Sequence, residues 1–180
     1  MPLVTGRDRV AAILEDPTYK VPPAAPGPFG TLAWLRATVC RFAEGEDHAR
    51  RRALVEARLA AVDPADLARG VTLARALGVT ADVERDVAAV AEAYLTGGPG
   101  TDEAVARLVA AVGPGDPEAV SADICILVQA ARALAVPPAS TRRIGPHGEV
   151  ELDLTGLPFG AGRHRCPGER QARALAAVRA

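Results

Sequence analysis

The stretch "LPFGAGRHRCPGERQARALA", residues 157–176, decides how the rest of the chain is read. Glycines 160, 162 and 168, a histidine and a cysteine fall together there, directly ahead of a helix-like run. Gly160 and Gly162 admit positive φ angles and let the chain approach a flat partner closely. The pattern predicts Cys166 at the cap of the last helix, with Pro167 in its first turn. A thiol in that position meets unpaired backbone N–H groups and the positive end of the helix dipole, which favour the thiolate. A thiolate is the donor that a soft or borderline metal centre takes as an axial ligand. Arg163, His164 and Arg165 add positive charge that suits anionic groups on the same ligand.

The whole chain agrees with one helical domain spanning 1–180. Its 180 residues suffice to bury a core, and 49% hydrophobic with 24% charged residues is a globular composition. Ala, Leu and Arg dominate and aromatics are only 3%, which favours helices. A net charge of −1 gives no field to recruit nucleic acid or an anionic membrane. The N-terminal stretch is charged before any apolar core develops, so it does not read as a signal peptide. No run approaches the roughly 18–20 apolar residues of a membrane span. Cys40, Cys125 and Cys166 have no regular spacing and imply no disulfide framework. The expectation is a soluble, reduced, cytoplasmic, mainly α protein.

Punctuation along the chain predicts the elements. "RDRVAAILEDP" (7–17) gathers Val10, Ala11, Ile13 and Leu14 on one helical face and stops at Pro17. "VPPAAPGPFG" (21–30) is a loop, and "TLAWLRATVCRFA" (31–43) predicts a helix around Trp34. Residues 45–62 form a stronger helix with acidic residues in its first turn. Residues 63–79 open with Asp-Pro and carry Gly70 as an interruption, while 80–98 predicts a helix capped by Thr80. Residues 100–115 repeat that grammar. The most hydrophobic helix, 116–138, closes at Pro137-Pro138, and Asp123 within it reads as partly exposed. Val150, Leu152 and Leu154 alternate with charged residues, which predicts a short strand or hairpin before the Cys loop.

Residues 159–168 match all the fixed positions of F-G-x-G-x-H-x-C-x-G, a match expected by chance on the order of 10⁻⁸ per starting position. The chain thereby resembles the cytochrome P-450 family in its bacterial form, whose signature this is. The resemblance implies a reduced version of that fold, a haem b cofactor with Cys166 as proximal iron ligand, and Phe159, Gly160, His164 and Gly168 at the cofactor. It implies that His164 meets a haem propionate. "EDHARRRALV" (46–55) resembles the family's E-H-x-R-L-R-R-L-V helix, which assigns His48 and Arg52 to propionate oxygens. Residues four apart share a helix face, so the two donors act together. "VQAARALAVPPASTRR" (128–143) resembles E-x-x-R-x-x-x-P-P followed by a propionate-binding arginine; Arg142 or Arg143 takes that role, with Arg143 preferred. "PLVTGRDRVAAILEDPTYKVPP" (2–23) resembles the family's early strand and short helix.

The departures are as specific. The chain is strongly shortened, without a recognisable central helix carrying A-G-x-x-T and the acid–alcohol pair for oxygen activation. Gln129 and Arg132 stand where the family has E-x-x-R. The family's N-terminal sheet and C-terminal tail are missing. The resemblance implies an oxidoreductase of the monooxygenase type, fed by a ferredoxin-like electron donor on a cationic face around Arg163 and Arg165, with a partner subunit as the other associate. The alternative is a non-catalytic auxiliary or interaction protein that has lost oxygen activation. Zinc is not expected: there is no C-x-x-C or H-x-x-x-H pair, and His164 and Cys166 are too close for a structural site. Cys40 and Cys125 sit in apolar runs and read as core.

Overall fold

The computed structural model describes residues 1–98, 101–135 and 140–179. The chain is mainly helical with one small sheet. Helices α1 (Arg7–Glu15), α2 (Leu32–Thr38), α3 (Gly45–Ala60), α4 (Pro64–Ala68), α5 (Leu73–Ala76), α6 (Glu84–Ala93), α7 (Asp102–Val112), α8 (Pro117–Ala135) and α9 (Glu169–Arg179) are joined by strands β1 (Leu3–Val4), β2 (Ser140–Gly145) and β3 (Gly148–Asp153).

Local chemistry sets most boundaries. Asp63 accepts from Ala65 N–H at 2.8 Å and Pro64 opens α4, while Gly70 at φ +93° ends the run and Thr72 caps α5. Residues 63–79 are therefore two short helices. The expected helix over 31–43 breaks at Thr38, whose hydroxyl bonds back to the Trp34 carbonyl at 2.7 Å, and continues as a 3₁₀ turn at Cys40–Phe42. Thr80 does not cap α6, which begins four residues later behind Val83. The Pro137-Pro138 pair and the Arg132 side chain, both expected to matter at the end of α8, lie outside the described residues.

The alternation at 150–154 forms an antiparallel hairpin, β2 with β3, that pairs Arg143 with Val150 and Thr141 with Leu152. β1 adds parallel to β3, Val4 opposite Leu152, giving the order β1-β3-β2. The early strand expected within residues 2–23 is thus a two-residue strand that joins the hairpin as its third member. Val4, Val10, Leu14, Leu152 and Leu154 form a small core beneath it. The larger core packs α2, α3, α6, α7 and α8 around Tyr94, Leu35, Leu108 and Ile124. Trp34 and the thiols of Cys40 and Cys125 are buried in it as expected. Asp123 is the exception. It is buried rather than partly exposed, and Arg58 of α3 neutralises it at 2.5 Å. The loop 154–168 meets the end of α1 at Gly162 and the middle of α3 at Arg52.

Candidate functional site

The Cys loop is shaped by backbone bonds. Gly160 N–H donates to Leu157 O (2.8 Å), Arg165 N–H to Gly162 O (3.0 Å) and Cys166 N–H to Phe159 O (2.9 Å). Two of its glycines, Gly160 and Gly162, have different tasks. Gly160, at φ +68°, has open space where a side chain would stand. Gly162, at φ +63°, is pressed on the end of α1, where a Cβ would overlap the Leu14 carbonyl. Of the two, Gly160 faces open space and Gly162 serves packing. Cys166 is exposed, and α9 starts at Glu169. The expected cap position for Cys166, with Pro167 in the first turn, is thus corrected: two residues separate the thiol from the helix. A side chain on Gly168 would touch Leu59 and lie 4.0 Å from Cys166 Sγ. Phe159 lies under the Arg173 guanidinium, 5.2 Å from ring to cation.

Helix α3 and strand β2 bring three basic residues to this loop. His48 is buried and its ring meets that of His164 at 4.2 Å between centroids. His48 Nε2 has no hydrogen-bond partner among the described residues. Arg52, one turn further on, donates from Nε to Glu56 (2.7 Å) and from Nη1 to the carbonyls of Arg163 (3.1 Å) and Arg165 (2.6 Å). Strand alternation separates Arg142 from Arg143: the first is exposed and the second buried at 6% exposure. Arg143 donates to Thr141 Oγ1 (3.1 Å) and its neighbour's carbonyl (2.8 Å), and among the described residues it meets no carboxylate. Burial pushes its pKa down to about 10, and Arg41 and Arg163 push the same way.

Glu44, which the sequence reading did not single out, anchors the group. It accepts from Val21 N–H (2.7 Å) and Arg163 Nε (2.9 Å), and lies 3.3 Å from His164 Nε2. Burial opposes its ionisation, but the bonds from Arg163 and Val21 outweigh it and hold the carboxyl below its usual range. Its only signal in the sequence is an acid just ahead of α3. Burial, with His48 next, pushes His164 down to about 4; His48 is lowered by burial and then by Arg52. Both imidazoles are therefore neutral at pH 7.

The expected cationic face around Arg163 and Arg165 is not a field of unpaired charge. Arg163 turns inward to Glu44 and the Tyr19 carbonyl (2.7 Å), and exposed Arg165 pairs with Glu169 at 2.7 Å. Gln129 accepts from Arg41 Nη1 (3.3 Å) and donates to Cys125 Sγ (2.7 Å). Two surface clefts, about 350 Å³ beside Phe29 and Gly113 and about 500 Å³ between Asp86 and Arg107, are not lined by the Cys loop. Among the described residues no cluster of three His, Cys, Asp or Glu is arranged to hold a metal, and no helix is long and apolar enough to cross a membrane.

No family model matches the sequence, and no curated protein does. In fold the chain is similar to a chain in the crystal structure of P450BioI in complex with hexadec-9Z-enoic acid ligated acyl carrier protein. The TM-score is 0.67 at 15% identity, over 98% of this chain and 83% of that one. At this identity the likeness bears on the fold alone, and it agrees with a mainly helical chain.

Proposed function

We propose that this chain is a haem-thiolate protein of the cytochrome P-450 type, with Cys166 as proximal ligand to the iron of haem b. The carrying observation is a buried cluster of basic residues, His48, His164 and Arg143, gathered about Glu44 and set beside the loop that presents an exposed thiol. Among the described residues His48 Nε2 lacks a partner and Arg143 forms no ion pair, while Glu44 is engaged chiefly by Arg163. Leaving a buried donor unsatisfied costs about 1–3 kcal/mol. A ligand with two carboxylates would give His48 Nε2 the partner it lacks and bring negative charge to His164 and Arg143. The residues present fit haem in kind.

Haem held by a thiolate supplies oxidoreductase chemistry, here of the monooxygenase type. The chain's own part is to hold and orient. Cys166 would offer the thiolate, Gly160 would leave room, and His48, His164 and Arg143 would bind the carboxylates. Electrons would come from a ferredoxin-like donor. Arg163 and Arg165 do not recruit it as free charges, since both are paired within the chain.

The exposure of Cys166 favours a second reading, an auxiliary or interaction protein whose thiol face is covered by a partner subunit. One measurement decides between them. The protein is expressed with haem precursor, reduced under carbon monoxide, and its absorption spectrum recorded. The first reading expects the red-shifted Soret band of a thiolate-ligated ferrous–CO haem, lost in Cys166→Ala. No bound haem, or a spectrum indifferent to that substitution, assigns the chain to the second.

A further inference from the structure

The family resemblance gives Arg52 to a propionate, but two of its three guanidinium nitrogens, Nε and Nη1, are engaged within the chain. Nη1 is shared between the carbonyls of Arg163 and Arg165, and Nε is oriented by Glu56, one turn along α3. The Arg165 carbonyl and the Cys166 N–H belong to one peptide group. That group is held at both ends: its oxygen accepts from Arg52 at 2.6 Å, and its N–H donates to Phe159 O at 2.9 Å. The Arg163 carbonyl belongs to the peptide that leads into His164, so one guanidinium fixes the backbone before both His164 and Cys166. Pro167 adds a restriction from the other side, because a residue preceding proline is confined to extended backbone.

We infer that Arg52 is the positioning residue of the Cys loop, fastening the backbone on either side of His164 to α3 so that Cys166 keeps a fixed place. A charge-assisted bond to a carbonyl is roughly twice as strong as a neutral one, and a bond shared between two carbonyls restrains the loop against rotation as well as displacement. The purpose of this fixation rests on the proposed role of Cys166. The fixation itself does not, and it exists before any cofactor binds.

The test uses the full chain free of haem. Amide hydrogen exchange is measured by NMR at Arg165 and Cys166, with Leu127 and Val128 of α8 as internal references. Arg52→Gln is expected to speed exchange at Cys166 at least about tenfold, with the α8 amides unchanged. Arg52→Lys, which keeps the charge without the planar fork, is expected to give a smaller rise, and it carries the test if the Gln variant does not fold. Unchanged exchange at both loop amides in the folded variants overturns the inference. If such variants also lose haem, Arg52 is a propionate ligand and not a positioning residue. Failure of the chain to bind haem at all leaves the exchange result, and this inference, standing.

Discussion

His48 and His164 meet ring to ring, with centroids 4.2 Å apart and planes at 57°, although one comes from a helix and the other from the Cys loop. Two imidazoles this close cannot both be protonated without strong repulsion. Glu44, 3.3 Å from His164, faces them with negative charge but is already engaged by Arg163, and Glu56, which also acts on His48, is held by Arg52. The contact is stable because both rings are neutral, and that ties the site to pH.

The folded pKa of His164 is about 4, below the ordinary 6.5, and that of His48 is lowered in the same direction. Between those limits the unfolded chain binds protons that the folded chain excludes. Stability is therefore complete above about pH 6.5 and is lost as pH falls toward 4. For His164 the loss reaches about 3 kcal/mol at most. Glu44, whose folded pKa lies below 4.5, adds to the loss at the acid end as its unfolded carboxyl takes up a proton. Urea unfolding at pH 7.5, 6, 5 and 4.5 measures this; a flat stability between pH 7 and 5 contradicts it.

Thiol reactivity separates the three cysteines. Cys166 is exposed, whereas Cys40 is pushed up to about 12 by burial and by Cys125, and burial raises Cys125 as well. An alkylating reagent at pH 8 is expected to modify one thiol rapidly. The other two react only through opening of the core, slower by about a thousandfold or more. Because Cys166 donates no side-chain bond, Cys166→Ala is expected to change unfolding free energy by under about 0.5 kcal/mol. Mass spectrometry of the labelled chain and a denaturant curve check the two halves.

Sequence pattern carried the helices and the identity of the loop, because both are local. Apolar periodicity placed α1, an acidic first turn placed α3, hydrophobicity placed α8, and the glycines of the Cys loop advertised its positive φ angles. What it missed is long-range. Arg163 reads as a surface charge beside Cys166 until α1 and Glu44 are seen to surround it. Arg142 and Arg143 cannot be told apart until the register of β2 shows which one points inward. Cys166 missed the helix cap because α9 starts two residues later than its proline suggested. Asp123 was misjudged for the same reason as Arg163: its partner comes from another helix.

That partner makes a third prediction. Arg58 Nε meets Asp123 Oδ1 at 2.5 Å and its Nη2 donates to the Leu77 carbonyl at 2.9 Å. Arg58 is partly solvated, but Asp123 is only 10% exposed at its side chain. Arg58→Ala leaves a buried carboxylate uncompensated and is expected to destabilise by about 2–4 kcal/mol. Replacing both, Arg58→Met with Asp123→Leu, is expected to recover most of that loss, since an apolar pair of similar volume removes the stranded charge. A double variant as unstable as the single one contradicts the account.

The two loop glycines give the last prediction, because their conformations are alike and their surroundings are not. Gly160→Ala at φ +68° meets nothing, so its cost is the left-handed backbone alone, about 1–2 kcal/mol. Gly162→Ala at φ +63° bears that cost and also drives a methyl into the Leu14 carbonyl and close to the backbone of Glu15. Backbone cannot rotate away as a side chain can, so the loop must part from α1. The expected loss is at least about 3 kcal/mol, or a loop detached from a still-folded core. Thermal unfolding of both variants, with hydrogen exchange at the loop amides, distinguishes these results. Equal stability in the two variants means that α1 does not buttress the Cys loop.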